Sequence, residues 1–128
     1  ITRKALTMAT GVLASLANAD LTAKATTYPF IKLHTGDPGA AGTANVATNT
    51  TRVQASFAAP SGGVIATSAE LRWDAVPAGE DYTHWSGWTL VSGGAVGWSG
   101  LITADAVASG NNFVINSGGL TFSYTVMA

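Results

Sequence analysis

Cysteine is absent from this 128-residue sequence, which excludes a disulfide staple, a thiolate nucleophile and a thiolate metal site. The core has to hold by packing alone. Charge is scarce as well: Asp, Glu, Lys and Arg make up 10% of the chain, against roughly 25% in an average soluble protein. Six Lys and Arg against seven Asp and Glu leave a net charge of -1, so there is no cationic excess to release counterions from nucleic acid or to hold anionic lipid. Neither nucleic acid nor a membrane surface is indicated as a partner. Few charges also mean little mutual repulsion, which suits a protein that works in an assembly. No apolar run reaches the roughly 18 to 20 residues that a bilayer span needs.

What is present is 47% hydrophobic residues, with Gly, Ala, Ser and Thr filling much of the rest, in a length that normally builds one core. Leu6, Ala9, Leu13, Leu16 and Ala17 recur at steps of three and four, which predicts a helix over 3–19 with Thr2 as its N-cap. Its apolar stripe is narrow, Gly11 weakens it, and Arg3 and Lys4 sit at the positive end of the helix dipole. Such a helix needs a surface to pack on. The same stretch, with Ala17-Asn18-Ala19 behind it, also has the outline of a secretory signal. Thr7, Thr10, Gly11 and Ser15 dilute its apolar centre, so the helix reading stands ahead.

From Tyr28 onward the period changes to short β-type runs separated by Gly, Pro and Asn, near 28–35, 51–58, 64–75, 82–91, 95–103, 112–116 and 120–127. The third is long enough to split in two. Leu120, Phe122, Tyr124 and Val126 alternate with Thr121, Ser123, Thr125 and Met127, as do Val53, Ala55 and Phe57 with Arg52, Gln54 and Ser56; between Trp85 and Trp88 the alternation is unclear. Ser92-Gly93-Gly94 and Ser117-Gly118-Gly119 read as hairpin turns, and Asp37-Pro38-Gly39 as a type II turn followed by a long exposed loop over 40–50. The expected fold is mainly β, an antiparallel β-sandwich of seven to eight strands over 28–128, preceded by a helix and connection over 1–27.

Catalytic signatures are missing. The glycines of 36–42 lack a following Lys-Ser or Lys-Thr, so a turn explains them better than a phosphate loop. His34, Asp37, Asp81 and His84 have no metal-ligand spacing, no serine sits in Gly-x-Ser-x-Gly, and Glu80-Asp81 fits a turn better than a glycosidase pair. Asn49-Thr50-Thr51 is a sequon with meaning only in a eukaryotic secretory setting. No catalytic residue, metal ligand or cofactor is nominated, and an enzyme is not expected. Trp73, Trp85, Trp88 and Trp98 stand out in a chain otherwise poor in large residues. They suit a core, a subunit interface or a sugar-stacking platform.

The segments Leu33-His34-Thr35-Gly36-Asp37-Pro38-Gly39, Gly42-Thr43-Ala44-Asn45, Val76-Pro77-Ala78-Gly79, Thr83-His84, Trp88 and Ser92-Gly93-Gly94 resemble, in order and spacing, a family of small β-sandwich virion proteins of tailed bacteriophages, especially those of actinobacteria. The resemblance runs from Tyr28 to Val126. It implies a non-enzymatic structural component on the virion exterior, of tail-fibre or minor tail type. The alternatives are a capsid decoration (cement) protein on the major capsid shell and a carbohydrate-binding β-sandwich module. The implied partners are further copies of the chain, most simply as a trimer, other virion proteins and, for the module reading, a host surface glycan. The family has no catalytic residues to carry over. Trp85 and Gly87 stand where aliphatic residues are common in it, which leaves open a repacked core or an added contact surface. Candidate interface residues are Arg3, Lys4, Leu6, Leu13, Trp85, Trp88 and Trp98.

Overall fold

The structure is a computed structural model that describes residues 11–127, apart from the side chains of Ala104 and Asp105. Its single helix among them, α1 (Ala14–Thr27), starts later than the sequence predicts. Val12 explains the shift, because its N–H donates to Thr125 O at 3.0 Å and its carbonyl accepts from Met127 N at 2.9 Å. Backbone groups committed to extended pairing cannot also serve a helix. Gly11 is required for the same reason, since a Cβ there would lie 2.0 Å from Thr125 O. The rest of the expected helix, residues 1–10, lies outside the described residues.

No side chain caps the N-terminus of α1. Within it, Thr22 and Thr26 hydroxyls donate to the carbonyls of Asn18 and Thr22, and Lys24 pairs with Asp20 one turn earlier. Such local bonds are weak, so the helix depends on docking. Ala17 and Leu21 are buried, the Asn18 Oδ1 accepts the Gly63 N–H at 2.9 Å, and the Tyr124 hydroxyl donates to Asp20. The helix packs on the β domain of its own chain.

Eight strands among the described residues follow: β1 (Phe30–His34), β2 (Val53–Gln54), β3 (Val64–Ala66), β4 (Leu71–Trp73), β5 (Glu80–Trp88), β6 (Val96–Val107), β7 (Phe113–Ile115) and β8 (Thr121–Ser123). All pair antiparallel, in a four-stranded sheet ordered β2-β1-β5-β6 and two ribbons, β3-β8 and β4-β7. Ser92-Gly93-Gly94 makes the predicted hairpin between β5 and β6, with φ of 69° and 74° at its glycines; side chains rarely adopt that region.

Ser117-Gly118-Gly119 does not make the second expected hairpin, because β7 pairs with β4 and β8 with β3. The turn is instead stitched to Thr67: Gly118 N donates to Thr67 O at 2.7 Å and Thr67 N to Leu120 O at 3.0 Å. The two ribbons are thus one antiparallel pair bent in its middle. Extending Leu71↔Ile115 would set Val64 against Phe122, whereas it faces Ser123, a slip of one residue at the bend. A one-residue slip of this kind is how a bulge kinks a ladder.

Aromatic contacts join the sheet to both ribbons. Tyr82 of β5 meets Phe113 of β7 edge-on at 4.9 Å, and Trp98 of β6 meets Phe122 of β8 at 5.5 Å. Leu21 of the helix, Leu33, Ile65, Leu71, Trp85 and Leu120 share this core, so the layers form a β-sandwich with the helix sealing one side.

Candidate functional site

The tryptophans settle into the interior. Trp73, Trp85, Trp88 and Trp98 are 1%, 0%, 7% and 5% exposed. Trp85 and Trp98, expected as interface candidates, stand edge to face at 5.1 Å and 87°. Each lies over a glycine directly across the β5-β6 ladder: the register pairs Gly87 with Trp98 and Trp85 with Gly100. A Cβ on Gly87 would fall 2.1 Å from Trp98 Nε1, and one on Gly100 2.6 Å from Trp85 Nε1. Trp85 and Gly87 are therefore buried parts of the core. Trp85, Trp88 and Trp98, named as candidate interface residues, are rings buried within their own chain, with almost no area left to give a partner. No indole face remains open for a sugar ring.

Trp88 belongs to the other side of the sheet, which explains the lost alternation in β5. That outer face is covered by the chain from residue 36 onward; its stretch 40–50, expected to be a long exposed loop, contains buried Gly42, Ala47 and Asn49, and Pro38 is buried ahead of it. With both faces covered, Ser86 and Trp88 are buried along with Trp85 and Gly87. The turn expected at Asp37-Pro38-Gly39 falls later: Gly39 has φ 71° and its N–H donates to Asp37 Oδ1 at 2.8 Å, but the closing backbone bond runs from Gly42 N to Gly39 O at 3.1 Å. Under the loop runs a buried polar chain: His34 Nδ1 lies 2.9 Å from Ala44 O, His34 Nε2 2.7 Å from Ser86 Oγ, and Trp88 Nε1 donates to Ser86 Oγ at 2.8 Å. A carbonyl only accepts, so the proton of neutral His34 sits on Nδ1 and Ser86 donates to Nε2. Burial pushes the His34 pKa down, against the opposing pull of its bond to Ala44. Both ring nitrogens are thereby engaged within the chain, which gives His34 a structural place.

Glu80 fastens the far end of the loop, its Oε1 accepting the Thr48 N–H at 2.7 Å. Partial burial raises its pKa, but the bonds from Thr48 and Asn49 outweigh this and hold the carboxyl below its ordinary value. At the opposite corner Lys32 and Arg52 approach the Trp88 ring, with Nζ 5.6 Å and Cζ 4.1 Å from its centroid. Arg52 also donates from Nη1 to Leu90 O at 2.9 Å and Gly93 O at 2.6 Å, bracing the β5-β6 hairpin tip.

One group of exposed apolar side chains lies where the chain enters the domain, and others such as Leu90, Val91 and Leu101 are dispersed. Val12, Leu13, Leu16, Val64 and Met127 are 40%, 52%, 62%, 44% and 49% exposed. Val12 bridges Val126, Met127 bonds back to Val12, and Gly63, the neighbour of Val64, packs against Val126 and Ala17. Leu13 is the one candidate interface residue placed in this patch; Arg3, Lys4 and Leu6 lie outside the described residues. Val64 and Met127 were missed because each alternates normally within its own strand run, and only tertiary pairing sets them beside the helix start. An open groove of about 330 Å³ between β6 and β7, lined by residues such as Ile102, Phe113 and Asn116, offers no acid, base or nucleophilic pair. Among the described residues no cluster of three potential metal ligands occurs, and no helix is long and apolar enough to cross a membrane.

The family model described as "Podophage GP4 fiber I protein gp80" matches residues 4–123. No curated protein matches the chain.

Proposed function

Because the chain belongs to the podophage GP4 fiber I protein gp80 family, we propose that it is a non-enzymatic structural component of a phage tail fibre, carried on the virion exterior. The match carries this reading because it spans residues 4–123, helix and sandwich together. The fibre description of that family supports the tail-fibre or minor tail reading. The carbohydrate-binding module loses the support it drew from exposed tryptophans. Labelling of intact particles with an antibody to this chain is expected to mark the tail; label spread over the head would overturn the fibre reading in favour of decoration.

We further propose that copies of the chain associate through Val12, Leu13, Leu16, Val64 and Met127, most simply as a trimer. The patch has the apolar character of an interface centre, and a net charge of -1 per chain leaves little repulsion between copies. Light scattering at micromolar concentration on the whole chain is the test, with Leu13→Glu and Leu16→Glu as variants. Both side chains are more than half exposed, so the variants keep the fold, checked by circular dichroism. An oligomer that the substitutions convert to monomer supports the assignment; a wild-type monomer, or an oligomer indifferent to both changes, refutes it. Removing the helix would be a poor substitute, since Leu21 is part of the core.

A further inference from the structure

Lys32 and Arg52 are two like charges held near one ring without a carboxylate partner among the described residues. The β1-β2 pairing sets Phe30 against Gln54 and Ile31 against Val53, and Lys32 and Arg52 are the next residues beyond it on the two chain segments. Like charges so placed repel. Both also converge on one ring, Trp88, at 5.6 and 4.1 Å. That ring is a fixed floor, because its N–H is bonded to Ser86 and it is 7% exposed.

Among the described residues nothing neutralises the pair. Asp20 binds Lys24, Asp74 binds Arg72 and Glu80 takes the N–H groups of Thr48 and Asn49; no carboxylate among the described residues forms an ion pair with Lys32 or Arg52. Partial burial, then the charge of Arg52, pushes the Lys32 pKa down, so its ammonium sits where charge is unfavourable. Arg52 spends only Nη1 on the hairpin carbonyls. Its Nε and Nη2 make no hydrogen bond among the described residues, which leaves one edge of the guanidinium fork open. Two convergent cations, an open fork and no internal counter-ion are the features by which proteins bind phosphate and carboxylate groups.

We propose that Lys32 and Arg52, held over Trp88, form an oxyanion-binding site that takes a phosphate or carboxylate group, free or borne on a polymer. The test is a titration of the full chain with inorganic phosphate and, separately, with polyphosphate, following the Trp88 indole N–H and the Arg52 Nε–H by NMR. Saturable shifts are expected at both. Lys32→Met and Arg52→Gln are each expected to weaken binding about tenfold, the loss of a charge-assisted hydrogen bond, while Arg72→Gln on a separate ribbon leaves it unchanged. Tighter saturation by polyphosphate per phosphate unit identifies a polymer-borne group, and equal affinity the free ion. Failure of both probes to saturate, or an equal loss in Arg72→Gln, overturns the site. Lys32→Met retains the aliphatic stem, so relief of repulsion leaves its Tm without phosphate at or above that of wild type; a lower Tm removes the premise of conflict between the cations.

Discussion

At the scale of single residues, the decisive arrangement is the exchange of size across the β5-β6 ladder, where Trp98 fills the space over Gly87 and Trp85 that over Gly100. Neither glycine is there for a turn; each is a slot for a ring. Gly87→Ala puts its methyl into the Trp98 indole and within 2.8 Å of Tyr28 O, the acceptor of the Trp98 N–H. The ring cannot withdraw without breaking that bond, so overpacking is expected to cost about 1–3 kcal/mol. Urea unfolding followed by tryptophan fluorescence measures it, and a midpoint equal to wild type would show that the ring has room to move. The sequence displays both tryptophans and both glycines, but 11 positions separate Gly87 from Trp98, and only the ladder makes them neighbours.

Among the elements, the loop over 36–50 departs most from its sequence pattern. It has no periodicity, since it forms no strand of its own, yet it closes the outer face of the sheet through His34 and Glu80. His34 holds one neutral tautomer in which Ser86 donates to Nε2. Protonation would turn that nitrogen into a donor and strip the serine proton of its acceptor. The folded-state pKa of His34 lies below the ordinary 6.5, so above about 6.5 both states are neutral and its contribution is complete. As pH falls from there toward the folded value, the unfolded chain binds a proton that the native chain refuses, and stability declines. NMR titration of the His34 ring is expected to give a midpoint below 6.5, and His34→Gln to remove that part of the pH dependence. A midpoint at or above the ordinary value would refute the closed polar chain.

For the whole molecule, the core joins Leu21 of the helix to strands of the sheet and both ribbons. A core shared in this way unfolds as a unit. Helix loss by far-UV circular dichroism and exposure of the buried tryptophans by fluorescence are therefore expected to follow one transition in urea. A helix signal that disappears first would mean that the helix docks on the sandwich without contributing to its cooperativity. The same docking leaves the apolar patch at the helix start facing outward.

Composition, strand runs, the Ser92-Gly93-Gly94 turn and the fold class follow from the sequence alone, because alternation and turn chemistry act over a few neighbouring residues. So does the likeness to phage virion proteins, carried by motifs in order. Only the tertiary structure decided that Val12 belongs to an extended pair and not to a helix, that Ser117-Gly118-Gly119 serves Thr67 and not a hairpin, and that the tryptophans are core. It also decided which of the described candidate interface residues reach solvent and that Lys32 and Arg52 both approach Trp88. Each of these depends on a contact between residues far apart in the chain, where register and burial, and not local preference, set the energy.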